Sequence, residues 1–365
     1  MEPGSARVDA SVLVPVLNES RSIRAAVQAM TAQQFAGTLE FIFADGDSTD
    51  DTRVQLEEMA REDSRIVVLD NSRRGTASGL NVCLRAARGD NVVRMDAHTL
   101  YPPTYVQTGV DRLRDGDVAW VAGPQDPMPD GCVSRAVVAA LTTRLGRGAS
   151  RRWSDGGGSG EYDLDTGVFC GVWRRDDVLA HGGWDEDWPR NQDSEMAARF
   201  LGAGQRIVCV PAMAARYIPR DSLRVLLRQY HDYGAYRAKT AGRHPTSLRR
   251  SALLPPLLVV DAVVAVAAPV RSLRQVARWG LATYAAALVA AALETARRGD
   301  RGDAPLVPVV LAGMHGAHGL GFFNGCRRWG VPWRALARVV RRDGGAAQPY
   351  DGPVDSPSLD GGARG

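Results

Sequence analysis

Four short apolar runs in the first hundred residues, each followed by polar residues, constrain the fold of this chain more than any other feature. The runs lie at residues 10–16 (ASVLVPV), 39–44 (LEFIFA), 66–69 and 91–95, and segments of helical character lie between them at 18–33, 52–62 and 75–88. Short apolar runs of this kind are typical of buried strands, and strands that alternate with helices indicate βαβ units. The sequence therefore predicts an α/β fold with a parallel sheet.

The polar residues after three of these runs are expected to meet at one edge of the sheet. Asn18 and Glu19 follow the first run, residues 45–51 follow the second, and Asp96-Ala97-His98 ends the fourth. Because ligands of open parallel sheets bind beyond the carboxyl ends of the strands, these clusters predict a ligand site there.

The acidic turn at 45–51 (DGDSTDD) has two compatible interpretations. In the simpler one, Ser48 or Thr49 caps the next helix, and Asp50 and Asp51 lie in its first turn. That interpretation does not explain Asp45, which stands at the tip of the strand. A carboxylate there can accept hydrogen bonds from a nucleobase or from ribose hydroxyls.

Asp96 and His98 are candidate metal ligands. They are two residues apart, so they can converge on one cation if the backbone turns between them. A divalent cation helps a diphosphate group to depart by bridging its oxygens, and imidazole suits manganese or zinc better than magnesium. The alternative is a surface turn in which Asp96 is only a cap.

A second acidic region lies further along the chain, as G-G-W-D-E at 182–186 and N-Q-D-S-E at 191–195. On their own, Asp193 and Glu195 are ordinary residues for the first turn of a helix. In a transfer reaction, one such carboxylate can remove the proton from an attacking hydroxyl. Trp184 has two possible places, stacked on a sugar ring or packed in the core.

Taken together, these motifs resemble the family-2 glycosyltransferases of the GT-A fold. V-P-V-L-N-E, D-G-D-S-T-D-D-T, D-A-H and G-G-W-D-E…N-Q-D-S-E match in order and spacing over about residues 12–236. The D-A-H form and the apolar C-terminus are most similar to succinoglycan-type, exopolysaccharide-building members. The resemblance implies a Rossmann-like domain and an inverting transferase with a divalent metal, Mn or Mg. The implied donor is a nucleotide-diphosphate sugar, with UDP-sugar as the family default, and the acceptor is saccharide or lipid-linked.

The resemblance also implies a role for each matching residue. Asp193 would be the catalytic base, and Asp96 and His98 would face the metal and the diphosphate. The remaining matches would bind or support the nucleotide: Pro15, Asn18, Glu19, Asp45, Asp47, Gly75 and Asn81.

Three positions depart from the family pattern. Gln192 stands where the family has Glu before the catalytic Asp, and His98 replaces the second Asp of the metal motif. The Q-x-x-R-W signature is reduced to Gln229-Tyr230-His231-Asp232-Tyr233, without its Arg. Since that signature accompanies processive synthases, its absence indicates transfer of a single sugar.

After about residue 250 the composition becomes apolar and rich in arginine. Apolar stretches at 252–270, 279–293 and 304–323 approach the length of a membrane-spanning helix, and basic clusters flank each one. We expect membrane association through interfacial helices, re-entrant hairpins or irregular spans, with an ordinary soluble helical domain as the alternative. The basic clusters favour contact with phospholipid, and nucleic acid is not an expected partner.

These features predict a catalytic domain at 1–245, a membrane-associated helical region at 246–342 and a disordered tail at 343–365.

The five cysteines are scattered without C-x-x-C spacing, and Cys170 and Cys209 are expected to be core residues. This pattern fits a reducing compartment, so the expected location is the cytoplasmic face of the cell membrane. A Gly-rich segment at 155–160 is interpreted as an active-site loop or a linker.

Two other functions compete with a transferase. A non-catalytic nucleotide-sugar-binding protein would explain the departures at Gln192 and His98, but Asp45, Asp96 and Asp193 are all retained. A nucleotidyltransferase would carry a G-x-G-T-R-type loop after the first strand, where this chain has P-V-L-N-E-S.

Overall fold

The computed structural model describes residues 7–147, 160–217, 219 and 222–341. Most of the predicted Gly-rich segment and the predicted tail from residue 343 lie outside the described residues. The chain divides into two compact units. Unit 1 contains Met1–Gly123 and Gly160–Met213, and unit 2 contains Pro124–Ser159 and Ala214–Gly344.

The strands, in chain order, are β1 (Ala10–Val16), β2 (Leu39–Asp45), β3 (Ile66–Asp70), β4 (Asn91–Arg94), β5 (Thr99–Leu100), β6 (Trp120–Ala122), β7 (Gln125–Pro127), β8 (Tyr162–Leu164), β9 (Gly171–Arg174), β10 (Ile207–Cys209) and β11 (Ala215–Tyr217).

The helices are α1 (Ile23–Thr31), α2 (Thr52–Glu62), α3 (Thr76–Ala86), α4 (Tyr105–Arg114), α5 (Cys132–Thr142), α6 (Arg144–Arg147), α7 (Arg175–Ala180), α8 (Gln192–Gly202), α9 (Leu223–Arg243), α10 (Leu254–Ala267), α11 (Arg271–Arg297), α12 (Val307–Trp329) and α13 (Trp333–Arg341). Short 3₁₀ helices cover Pro211–Met213, Pro245–Ser247 and Arg250–Leu253.

Unit 1 is built on a sheet whose described strands run in the order β3-β2-β1-β4-β9-β6-β10-β8. The first four strands are parallel, as predicted. Beyond these four strands the sheet is mixed, because β9 runs antiparallel to both β4 and β6, β8 runs antiparallel to β10, and β6 and β10 are parallel. The fold is therefore α/β with a mixed sheet.

The register of β1, β2 and β3 brings their carboxyl ends to one level, and β4 ends three residues short of β1. Val16 of β1 pairs with Asp45 of β2, and Asp45 pairs with Asp70 of β3. Arg94, the last residue of β4, pairs with Leu13 on the other side of β1. The loops after these strands consequently start side by side.

The predicted elements mostly have the observed bounds; β1 and α2 agree at both ends. Helix α1 begins at Ile23, five residues later than the prediction of 18. The reason is local, because Asn18 has a left-handed backbone with φ of 56°, which no helix can include. Cys170 and Cys209 are both buried, as expected for core residues.

Unit 2 is mainly helical, with a short parallel pair formed by β7 and β11. Helices α9 and α12 pack so closely that glycine is needed at the crossing. A Cβ at Gly234 would lie 1.9 Å from the carbonyl oxygen of His318, and one at Gly321 would lie 1.9 Å from that of His231. Such close backbone approach through small residues is common between helices in membranes.

Two helical segments of unit 2, Arg250–Ala267 and Arg271–Arg297, are long and apolar enough to cross a membrane by length and composition. Their most apolar windows are only 22% and 11% buried, unlike the core helix of a soluble protein. The third predicted apolar stretch forms part of α12. The division of the chain at residues 245 and 342 stays a prediction.

Candidate active site

A buried arginine joins the two predicted catalytic motifs. The Nη1 atom of Arg94 donates to Asp193 at 2.6 Å, while its Nε and Nη2 atoms donate to the two oxygens of Asp96 at 2.9 and 3.1 Å. The side chain of Arg94 is 3% exposed, and those of Asp96 and Asp193 are 13% and 16% exposed. The structure thus brings together two carboxylates that are 97 positions apart, through a residue that the sequence analysis did not single out.

Burial and the neighbouring charges together set the protonation state of Asp193. Burial raises the pKa of Asp193 to about 6, with Arg94 opposing the shift and Asp96 adding to it. Burial would lower the pKa of Arg94, but the two carboxylates outweigh burial and the pKa is raised. Asp193 is therefore mostly ionised at neutral pH and close to the range in which a carboxylate works as a general base.

The turn that carries Asp96 and His98 is fixed by its backbone. The amide of Asp96 donates to the hydroxyl of Tyr101 at 2.8 Å, and the amide of Thr99 donates to the carbonyl of Asp96 at 3.1 Å. His98 is half-exposed, and its Nδ1 atom lies 3.4 Å from Oε1 of Glu19. Glu19 therefore connects the loop after β1 with the loop after β4.

Asp96 and His98 offer a carboxylate and an imidazole on one turn, which are suitable ligand types for a divalent cation. Within the described ranges, no cluster of three or more His, Cys, Asp or Glu side chains could hold a metal by itself. Both oxygens of Asp96 also accept hydrogen bonds from Arg94. The two residues therefore fit only as part of a ligand set that phosphate oxygens and water complete.

The loops after β1 and β2 are locked together by side-chain caps. The amide of Asn18 donates to the Ser48 hydroxyl at 2.9 Å, and Oδ1 of Asn18 accepts from the Thr49 amide at 2.8 Å. The amide of Glu19 donates to the Thr52 hydroxyl at 2.8 Å. These contacts hold Asn18 and Glu19 at the carboxyl edge of the sheet, where the sequence placed them.

The prediction that Ser48 or Thr49 caps the following helix is wrong. Helix α2 begins after Asp51 and has no side-chain cap, and Asp50 precedes the helix. The Ser48 hydroxyl donates instead to Asp45 at 2.6 Å, because the loop folds back onto the strand tip. Asp45 is 5% exposed and is held in place by this bond.

A second arginine missed by the sequence analysis supports the same loop. Nη2 of Arg74 donates to the carboxylate of Asp47 at 2.7 Å and to its carbonyl at 3.0 Å, and Nε donates to the Gly46 carbonyl at 3.2 Å. Gly75, the next residue, precedes α3, and its carbonyl accepts from the Asn71 side chain at 2.9 Å. Asp47 and Gly75 therefore belong to one network beside the strand tips.

Left-handed backbone conformations concentrate at the loops of the candidate site. Among the described residues other than glycine, positive φ angles occur at Asn18, Asp47, Arg74 and Asn191, with values of 56–60°. The first three lie in the loops after β1, β2 and β3, and Asn191 directly precedes α8. Residues held in this conformation concentrate at functional sites, so their placement supports a site at this edge.

Asn81 fastens the G-G-W-D-E segment to α3. Its Nδ2 atom donates to the Trp184 carbonyl at 2.8 Å and to Glu186 at 3.0 Å, and its Oδ1 atom accepts from the Trp184 amide at 2.9 Å. Gly183 has φ of 70°, and a Cβ there would lie 2.5 Å from the Asn81 oxygen. Glu186 also pairs with Arg73 at 2.5 Å.

Trp184 packs in the core, so the alternative that it stacks on a sugar ring is wrong. Trp184 is fully buried and packs edge-on against Trp173, with ring centroids 5.7 Å apart. Pro15 of β1 packs against Gly79 of α3. A Cβ added to Gly79 would lie 3.0 Å from the Cβ of Pro15. Trp184 therefore supports the site from within the core, while the nucleotide contact of the half-buried Pro15 stays a prediction.

Comparison with known proteins agrees with this geometry. The model of the family described as "Glycosyl transferase family 2" matches residues 11–145. "Succinoglycan biosynthesis protein ExoA" of Rhizobium meliloti (strain 1021) is 29% identical over 334 residues, which cover 91% of this chain and 96% of that protein.

A more distant relative comes from Methanococcus voltae, the "dolichyl N-acetyl-alpha-D-glucosaminyl phosphate 3-beta-D-2,3-diacetamido-2,3-dideoxy-beta-D-glucuronosyltransferase". It is 21% identical over 238 residues, covering 62% of this chain and 71% of that protein. Among solved structures, the mannosyltransferase PcManGT from Pyrobaculum calidifontis is similar, with a TM-score of 0.52 and 20% identity over 93% of this chain and 89% of that chain. This last similarity concerns the fold. Residues 11–145 therefore carry a domain that matches the family-2 glycosyltransferases, and the chain has a GT-A-like α/β fold.

Proposed function

We propose that this glycosyltransferase moves one sugar, with inversion, from a nucleotide-diphosphate donor to a membrane-associated saccharide acceptor. The observation that carries the proposal is the buried Arg94, which joins Asp96 to Asp193. A carboxylate suited to hold the metal of the donor diphosphate and a carboxylate suited to proton removal are thereby joined by one guanidinium group.

The proposed transfer forms one bond, breaks another and moves one proton to Asp193. The acceptor hydroxyl oxygen attacks the anomeric carbon on the face opposite the diphosphate and forms the new glycosidic bond. The bond from that carbon to the phosphate oxygen breaks, and the diphosphate leaves with the electron pair. Asp193 takes the hydroxyl proton. In-line attack of this kind inverts the anomeric configuration.

A divalent cation, Mn or Mg, is part of the proposal. The Pyrobaculum enzyme is described in complex with GDP-Man and Mn²⁺. In this chain Asp96 and His98 would contribute ligands, and the cation would neutralise the leaving diphosphate. The loops that carry Asn18, Glu19, Asp45 and Asp47 would bind the nucleotide; a uridine base is the proposed one.

The names of the relatives support a lipid-linked or polymeric acceptor. One is named for succinoglycan biosynthesis and another as a transferase for a dolichyl-linked sugar phosphate. We assign the apolar helices of unit 2 the role of holding the enzyme at the cytoplasmic face of the membrane, beside such an acceptor. Single-sugar transfer fits the altered signature on α9, where Gln229 donates to the Tyr233 hydroxyl at 2.6 Å.

A panel of nucleotide sugars tests the proposal. Full-length enzyme is incubated with UDP-, GDP- and dTDP-sugars in manganese or magnesium, and nucleotide release and nucleotide binding are measured. We expect Asp193→Asn to bind the nucleotide like the native protein and to lose at least ~100-fold in transfer, because a general base contributes about 10²–10⁴-fold.

Asp176→Asn is the matched control, since its carboxylate is 91% exposed on α7. It should keep full activity. Unchanged turnover in Asp193→Asn would remove Asp193 from the reaction, and failure of the whole panel to bind would refute the donor assignment.

A further inference from the structure

The first turns of α11 form a basic groove in unit 2. The groove has a volume of about 440 Å³ and is lined by Arg271, Arg274, Gln275, Arg278, Trp279 and Ala282. The three arginines follow one another at intervals of three and four residues, so they project from one face of the helix.

The charge of this groove is not balanced locally. No acidic residue occurs in the sequence between Asp261 and Glu294. Across the part of the chain that the structure describes, no ion pair joins any of the three arginines to a carboxylate. The nearest acidic residue in the sequence is Asp261 of α10. Its carboxylate lies against Gly280 of α11, where an added Cβ would be 2.7 Å from Oδ2 of Asp261.

Two of the arginines are held by the preceding helix. Nη1 of Arg274 donates to the carbonyl of Ala268, and Nε of Arg278 donates to the carbonyl of Ala265, both at 3.3 Å. Each guanidinium has five N–H donors, so most of them remain available to a ligand. The contacts fix the groove at the turn between α10 and α11, which reduces the ordering cost of binding.

Exposed apolar side chains lie along the same α10–α11 segment as the groove. Val266, Val270, Leu273, Val276 and Trp279 are between 49% and 81% exposed. Apolar residues and a tryptophan interleaved with arginines are typical of a helix at the boundary between hydrocarbon and lipid headgroups. Cationic donors at such a boundary face the phosphates of the lipids.

We propose that the groove formed by Arg271, Arg274 and Arg278 binds the phosphate group of a membrane lipid. Arginine suits this ligand because its planar donors can bind two phosphate oxygens at once. The lipid is either a bulk anionic phospholipid or the polyprenyl phosphate of a lipid-linked saccharide. The site lies within unit 2 and does not depend on the transfer chemistry proposed for unit 1.

Vesicle flotation tests the site with the full-length protein. Three vesicle types are compared: phosphatidylcholine alone, phosphatidylcholine with phosphatidylglycerol, and phosphatidylcholine with undecaprenyl phosphate at equal surface charge. For the native protein we expect up to ~100-fold tighter binding to the anionic vesicles at low salt, since each of the three interfacial arginines contributes about fivefold. The variant with Arg271, Arg274 and Arg278 all changed to Gln should lose most of that preference.

A control variant removes three exposed arginines outside the groove, Arg61, Arg85 and Arg297, also by change to Gln. It should retain the preference, because the overall charge falls equally but the groove is intact. Nucleotide release in detergent should be unchanged in both variants, so a loss of lipid binding is distinguishable from a failure of the proposed reaction.

The vesicle types identify the source of the phosphate. Equal preference for the two anionic vesicles supports bulk phospholipid, and stronger binding to undecaprenyl phosphate supports the lipid-linked saccharide. The proposal is overturned if both variants lose the preference equally, if the groove variant keeps it, or if inorganic phosphate binds while no anionic vesicle is preferred.

Discussion

At the scale of single residues, the site depends on Arg94, because this side chain joins Asp96 to Asp193. A guanidinium with 3% exposure is costly in the interior unless carboxylates accompany it, and here two of them do. The sequence predicted Asp96 and Asp193 because each stands at a recognisable motif. It did not predict Arg94 or Arg74, whose partners are fixed only by the tertiary fold. The available signal for Arg94 was a charged residue at the end of a short strand, directly after Val92 and Val93.

Arg94→Met should destabilise the protein and abolish transfer. It leaves two carboxylates facing each other without a cation, and breaking a buried ion pair costs about 3–5 kcal/mol. Thermal unfolding and nucleotide release measure the two effects. Arg114→Met, which removes an exposed pair with Asp111, should cost about 0–1 kcal/mol. Equal stability of the two variants would contradict the role given to Arg94.

His98 should influence which metal the enzyme prefers. Because imidazole suits manganese and carboxylate suits magnesium, His98→Asp should shift the ratio of the two activities towards magnesium. Activity of metal-stripped protein is measured after each metal is added back. If the stripped native protein is fully active in excess chelator, the proposed metal has no part in the reaction.

At the scale of secondary-structure elements, strand tips and loops were predictable and strand order was not. Apolar runs locate β1–β4, and parallel pairing then places their carboxyl ends together. The antiparallel insertion of β9 between β4 and β6 has no comparable local signal, because it depends on which edges remain unpaired. Trp184 was ambiguous for a similar reason, since only packing decides between core and surface.

The G-G-W-D-E segment depends on a glycine at position 183. Gly183→Ala should lower stability by about 1–3 kcal/mol, because alanine is strained at φ of 70° and its Cβ would meet Asn81. Gly202→Ala is the control, since nothing lies within 4 Å of a Cβ there, and it should be neutral or slightly stabilising. Denaturant unfolding of both variants gives the comparison. A neutral Gly183→Ala would show that the segment tolerates movement.

At the scale of the whole molecule, the chain combines a glycosyltransferase domain with an apolar helical unit. Sequence motifs indicated the enzyme and composition indicated the apolar region, but composition left the number and arrangement of membrane helices open. The structure identifies two helical segments of sufficient length and apolarity, whose most apolar windows are only 22% and 11% buried. Exposed apolar helices of this kind require a covering, and lipid is the covering that the basic flanks favour.

Full-length protein should therefore sediment with membranes and stay there through a high-salt wash. Salt screens the attraction of arginines for lipid headgroups but does not remove apolar helices from hydrocarbon. Immunoblotting of the washed pellet and supernatant measures the distribution, with detergent extraction as the positive control. Complete recovery in the salt supernatant would rule out insertion of α10 and α11.

The position of β9 has a consequence for how the protein is made. Strands β4 and β6 are both synthesised before residues 171–174, yet they join the same sheet only through them. A nascent chain that has emerged only to residue 145, the end of the family match, therefore leaves the edge of β4 bare. Bare edges readily pair with other chains, so we expect this ribosome-bound intermediate to be prone to aggregation until residues 171–174 have emerged.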